Sequence, residues 1–132
     1  MPHTIIEYSC NLEAEIDPRE LVAAVHKAML ATGTFEIGGV RTRAERRDHF
    51  MVADGDPENA FIHITARIGP GRSAEVKKAA SAAILAALEP LIEKAFQSRG
   101  LGITIEVAEL DDIAVIRKNN LHERMKARKE QA

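Results

Sequence analysis

Three residues stand where chemistry could be done: Pro2 directly behind the first methionine, Arg41 in GGVR, and Arg72 in GPGRS. A methionine followed by a residue as small as proline is normally removed, so the expectation is that Pro2 carries a free secondary amine at the end of a strand. Such an amine is a base once its proton is easily lost. Burial in an apolar pocket disfavours the charged form, and neighbouring cations push the same way. A base works best with a pKa near the working pH. The plainer reading is that Pro2 only ends the chain, and one proline does not decide between the two. A glycine-rich loop leading into a helix can hold an anion through backbone N–H groups and the helix dipole. In GPGRS, Arg72 adds a guanidinium able to grip a carboxylate through two parallel bonds. The lysine and full spacing of a phosphate-binding P-loop are missing. Arg41, just behind Gly38-Gly39, is a second candidate carboxylate ligand.

Other reactive residues offer less. Nothing near the single cysteine, Cys10, marks an activating base. His3, His26, His49, His63 and His122 have no metal-ligand spacing, so metal catalysis and a metal site are not expected. With 18 basic and 20 acidic residues the net charge is −2, which supplies no basic field for nucleic acid or a membrane surface. No apolar run is long enough to span a bilayer, the N-terminus lacks the regions of a signal peptide, and one cysteine suits a reducing compartment. The expectation is a cytoplasmic protein that is neither membrane-bound nor nucleic-acid-binding.

These residues must be positioned by one domain over 1–132. Aromatic residues make up only 4% and tryptophan is absent, so the core must be aliphatic, and association would help cover strand edges. Thr4, Ile5, Ile6 and Tyr8 read as a strand. Asp17-Pro18-Arg19-Glu20 starts a helix and Gly33 stops it, giving about 18–32. Alternation then predicts a strand from Val40, split near Arg47-Asp48, with Arg41, Arg43, Glu45 and Arg47 on one face. That charged face has a plain reading as a solvated edge. Asp54 to Pro57 is a turn, and AFIHITARI is a strand with Ile62, Ile64, Ala66 and Ile68 on one face. His63, on its mixed face, reads as a structural histidine. Ser73 caps a long helix whose apolar stripe runs from Val76 to Ala95, with a kink or a break expected at Pro90. Gly100 and Gly102 end it, and ITIEVAEL is the last strand, with Ile103, Ile105 and Val107 inward. A short helix over about 119–128 closes the chain. Two β-α-β units, about 1–54 and 59–110, suggest a duplication with parallel strands inside each unit. The fold class expected is α+β: a four-stranded mixed sheet with both helices on one face.

The opening MPHTIIEYSCNL, the segment GGVRTRAE, the run MVADG, the strand and loop AFIHITARIGPGRS and the late KNNLH resemble, in the same order, the 5-carboxymethyl-2-hydroxymuconate isomerase family of the tautomerase superfamily. The likeness runs from Pro2 to about His122. It implies a β-α-β repeat fold, a symmetric homotrimer, and an amino-terminal proline as general base, the position Pro2 holds. It places the functional arginines at Arg41 and Arg72: Pro2 and Arg72 as catalytic residues, Arg41 and Arg72 as ligands of the substrate's carboxylates. Which arginine takes which carboxylate stays open. The implied reaction shifts a proton and a double bond in an unsaturated 2-hydroxy or 2-oxo dicarboxylate or tricarboxylate, most simply 5-carboxymethyl-2-hydroxymuconate in aromatic-acid breakdown, with no cofactor. The tail ERMKARKEQA and Pro90 depart from the pattern. Three rivals remain: another activity of the superfamily, a phenylpyruvate-type tautomerase or a haloacrylate dehalogenase; a non-catalytic oligomeric module that binds a small acid; or a structural trimer that has lost activity, in which the mixed face of AFIHITARI matters only for packing. The dehalogenase wants an extra acidic residue to activate water, and none stands out.

Overall fold

The computed structural model describes residues 2–131; the expected loss of Met1 lies outside the described residues. The chain runs β1 (His3–Ser9), α1 (Pro18–Ala31), β2 (Arg41–Arg47), β3 (Ala60–Ile68), α2 (Ala74–Ser98), β4 (Leu101–Glu109) and α3 (Leu121–Gln131), with short 3-10 turns at Cys10–Ala14, Ile37–Gly39 and Asp112–Ala114. The four strands form one sheet in the order β2-β1-β3-β4. β1 and β2 are parallel, as are β3 and β4, while β1 and β3 pair antiparallel at the centre. This is the mixed sheet expected of two β-α-β crossovers lying head to tail.

Period-two alternation decides which face is covered. Thr4, Ile6 and Tyr8 of β1 and Ile62, Ile64, Ala66 and Ile68 of β3 are buried. Both long helices lie on that face. α1 contributes Leu21, Val25, Ala28 and Met29, and α2 contributes Ala80, Ile84, Leu88, Ile92 and Ala95. Each fully buried Leu or Ile stabilises the fold by roughly 1.5–3 kcal/mol relative to exposure, which is how a core without tryptophan suffices. The other face carries His3, Ile5, Arg43, Glu45, Phe61, His63 and Thr65, half-buried or exposed. Arg47 pairs there with both Glu7 and Glu45, and His63 Nε2 lies 3.6 Å from Glu106, a structural setting for that histidine.

The helix ends follow local chemistry. Asp17 accepts from the Arg19 N–H at 2.9 Å with Pro18 at the first helical position, and Ser73 Oγ accepts from the Val76 N–H at 3.2 Å. Gly33 follows α1 with φ 69°, a left-handed conformation natural to glycine. Two expectations need correction. Of the kink or break expected at Pro90, the break is absent: α2 runs unbroken from Ala74 to Ser98. Pro90 and Ala86 both lie on the exposed side, so the carbonyl that loses its donor faces water, while buried Leu88 and Ile92 hold the helix on either side. Gly102 does not help end that helix; it lies within β4, paired with Phe61. α3 starts at Leu121, whose N–H is capped by Asn119 Oδ1 at 2.8 Å, two residues later than the expected start at 119. No helix among the described residues is long and apolar enough to cross a membrane.

Candidate active site

Topology brings distant segments to one end of the sheet. Because β1 and β2 are parallel, their first residues, His3 and Arg41, are partners; because β3 is antiparallel to β1, Arg67 near its far end pairs with His3 as well. The loop after β3 therefore carries Arg72 to the place where the chain begins. β4, parallel to β3, ends there too: the Leu110 N–H donates to the Ile68 carbonyl at 2.8 Å, and the chain beyond delivers Arg117 and His122. Sheet pairing extends just past β1, where the Arg41 N–H donates to the Pro2 carbonyl at 3.0 Å.

Pro2 is fully buried. It lines a cavity of about 360 Å³ together with Phe35, Gly39, Arg72, Arg117 and His122. Of the expected site residues, Pro2 and Arg72 thus share one chamber. Arg41 lines a neighbouring pocket of about 240 Å³ with His3, Val115, Lys118 and Asn119, and Arg117 borders both. Arg117 and His122 were not singled out from the sequence as site residues. His122 stood only inside the KNNLH match, and nothing in its spacing announced a cavity.

Arg72 is set for a ligand. Gly71, at φ 106°, adopts a backbone that side chains resist and turns the loop immediately before it. The guanidinium then lies 4.7 Å from the centroid of the Phe35 ring. Among the described residues its hydrogen bonds are to the carbonyls of Gly69 and Thr34, both 3.5 Å long. Arg41 donates to the Gly39 carbonyl at 3.0 Å. Among the described residues neither Arg41 nor Arg72 has a carboxylate partner, whereas Arg46, Arg47, Arg99 and Arg117 each do. Two arginines whose forked donors are largely unspent suit a substrate bearing more than one carboxylate.

The field here is positive. Burial first, then the guanidinium groups of Arg43 and Arg41, hold the His3 imidazole below its usual range, and Arg43 Nη1 lies 3.2 Å from His3 Nδ1. Pro2 is the adjacent residue. On the far rim, His122 Nδ1 lies 2.9 Å from Glu36 Oε2. No group of three or more His, Cys, Asp or Glu side chains among the described residues is placed to hold a metal ion.

Comparison with known proteins identifies the family and the fold. The family model for 5-carboxymethyl-2-hydroxymuconate isomerase matches residues 2–125. A 5-carboxymethyl-2-hydroxymuconate Delta-isomerase of Escherichia coli is 34% identical over 122 residues, covering 92% of this chain and 97% of that protein. The crystal structure of a 5-carboxymethyl-2-hydroxymuconate isomerase from Deinococcus radiodurans R1 superposes with a TM-score of 0.87 at 36% identity, covering 94% of this chain and 93% of the other. A fused 4-OT symmetric trimer shares the fold alone, with a TM-score of 0.68 at 14% identity over 89% of this chain and 92% of that one.

Proposed function

The chain belongs to the 5-carboxymethyl-2-hydroxymuconate isomerase family, and from that premise we propose how its own residues carry the isomerisation. Freed of Met1, Pro2 acts as the general base. Its neutral ring nitrogen takes the proton from the 2-hydroxyl group of the dienol substrate. The oxygen's electrons form the 2-oxo group, the double bonds shift along the chain, and the prolinium returns the proton to a distant carbon. One proton leaves and one arrives, so the reaction balances without a cofactor. The substrate is an unsaturated 2-hydroxy dicarboxylate or tricarboxylate, most simply 5-carboxymethyl-2-hydroxymuconate.

The observation that carries this reading is a fully buried Pro2 sharing a cavity with Arg72, whose guanidinium has no carboxylate partner among the described residues. Burial and adjacent cations favour the uncharged amine. Arg72 binds the carboxylate beside the reacting oxygen and stabilises the negative charge that grows on it. Arg41, in the adjoining pocket, takes a distal carboxylate. The protein assembles as a homotrimer in the cytoplasm. The trimer is supported by the half-buried sheet face opposite the helices, with Ile5 and Phe61 among its charged residues, and by the shared fold of the symmetric trimer. Pro2→Ala tests the central role. It leaves a primary amine of different basicity and greater flexibility, and turnover of 2-hydroxymuconate, followed by ultraviolet absorbance, falls by about two to four orders of magnitude, the usual worth of a positioned base. Unaltered turnover in a folded Pro2→Ala variant removes Pro2 from the mechanism.

A further inference from the structure

The two chambers at the end of the sheet meet at one side chain. Among the described residues Arg117 alone lines both the Pro2 chamber and the neighbouring one. Val115, Ile116, Lys118 and Asn119 line only the second, so the chain itself runs along that chamber and the long side chain of Arg117 is what reaches the first. The strap that carries it is fixed at both ends. At its start the Leu110 N–H donates to the Ile68 carbonyl at 2.8 Å. At its end His122 Nδ1 lies 2.9 Å from Glu36 Oε2, and a Cβ placed on Gly38 would lie 2.8 Å from the His122 backbone N, an approach that only glycine admits. Arg117 is not spent inside the protein. Its Nη2 donates to Asp112 Oδ1 at 3.1 Å, in a pair whose Asp112 side chain is 54% exposed and which therefore adds little to stability. Nε and Nη1 have no partner among the described residues.

The second chamber is strongly positive: Arg41, Arg117 and Lys118 line it, and among the described residues no carboxylate does. Arg41 also marks the boundary, since its guanidinium donates to the Gly39 carbonyl and Gly39 lines the Pro2 chamber. 5-Carboxymethyl-2-hydroxymuconate carries three carboxylates. One is beside the carbon that bears the hydroxyl, one is at the far end of the chain, and one is on a branch from carbon 5, next to that far end. Arg72 and Arg41 account for the first two. We propose that Arg117 is a specificity-determining residue that binds the third, gripping the carboxylate of the carboxymethyl branch and so selecting the tricarboxylate over an unbranched dicarboxylate. A substrate that reaches from Arg72 to Arg41 carries its branch to the boundary between the chambers, which is where Arg117 stands. The forked donors of a guanidinium suit a carboxylate there. The inference rests on the reading that puts the reacting end of the substrate at Pro2 and Arg72.

2-Hydroxymuconate lacks only the branch. The test is therefore the ratio of kcat/KM for 5-carboxymethyl-2-hydroxymuconate to that for 2-hydroxymuconate, both followed by ultraviolet absorbance on one preparation, so that any loss of folded enzyme cancels. Arg117→Ala lowers this ratio by about tenfold to a hundredfold, the loss of a hydrogen bond between charged groups. Arg117→Lys keeps the charge without the fork and lowers it less. An unaltered ratio in Arg117→Ala overturns the proposal, whether both rates hold or both fall together, because Arg117 then serves the two substrates alike. A ratio that falls with Lys118→Ala instead gives the branch to that lysine and overturns it too. If Pro2→Ala keeps full activity on both substrates, it is the underlying site assignment that fails.

Discussion

Replacing Arg72 with alanine separates function from stability, because the side chain contributes differently to each. The guanidinium gives the fold little. Its two hydrogen bonds, at 3.5 Å each, lie at the limit of such contacts. Its placement over Phe35 at 4.7 Å is worth about 0.5–1 kcal/mol at a partly open site. Unfolding by urea should therefore register a loss of no more than about 1 kcal/mol. Substrate binding uses the same group differently. Truncating one partner of a desolvated charge pair costs roughly 2–5 kcal/mol. At about 1.36 kcal/mol per factor of ten, kcat/KM falls by about 30-fold to several thousandfold. Arg72→Lys keeps the charge but loses the fork and the stacking, and falls between the two. Steady-state kinetics with 2-hydroxymuconate and urea denaturation on the same preparations provide the comparison. Should kcat/KM fall only as far as the stability change explains, Arg72 is a loop anchor and the carboxylate assignment is wrong.

Two further outcomes follow from the structure. His3, whose imidazole is held below its ordinary 6.5 by burial and then by Arg43 and Arg41, takes up a proton in the unfolded chain before it does in the folded one. Its contribution to stability is thus complete above pH 6.5 and is lost as pH falls from there towards the folded value; proton NMR should find the His3 midpoint below 6.5, and a midpoint above it contradicts the positive field drawn around Pro2. Pro90→Ala restores a backbone donor inside a continuous helix at an exposed position and should stabilise the protein by up to about 3 kcal/mol, read from urea unfolding; a destabilised variant would mean that the ring is packed in the assembled protein.

What could be read from the residues and what could not divides by the range of the interactions. Asp17-Pro18, Ser73 and Gly33 set helix ends through bonds within a few residues, so α1 and the start of α2 were legible. The alternation in AFIHITARI stated which face would be covered, and it is covered. At Pro90 the local cost of a proline was visible, while what keeps the helix from breaking was not: Pro90 and Ala86 on the exposed side, with Leu88 and Ile92 anchored in the core. Gly38 was visible as half of a glycine pair, but the reason for it comes from His122, far along the chain. Arg117 and His122 enter the site by the same route. They lie in a polar stretch with little periodicity, and only the parallel pairing of β3 with β4 carries that stretch back to the start of β1. Arg41 and Arg72 were named from the GGVR and GPGRS matches, and the structure adds a distinction the sequence lacked, with Arg72 in the chamber of Pro2 and Arg41 in the pocket beside it.

The most direct measurement is a ¹⁵N NMR titration of the Pro2 nitrogen in the purified enzyme, with intact mass to establish that Met1 is gone. A free ring nitrogen with a pKa below about 7.7, the low end for an ordinary terminal amine, is the predicted result, and it should coincide with the acidic limb of the kcat/KM profile. A nitrogen still acylated by Met1, or one that stays protonated well above that value, contradicts the mechanism.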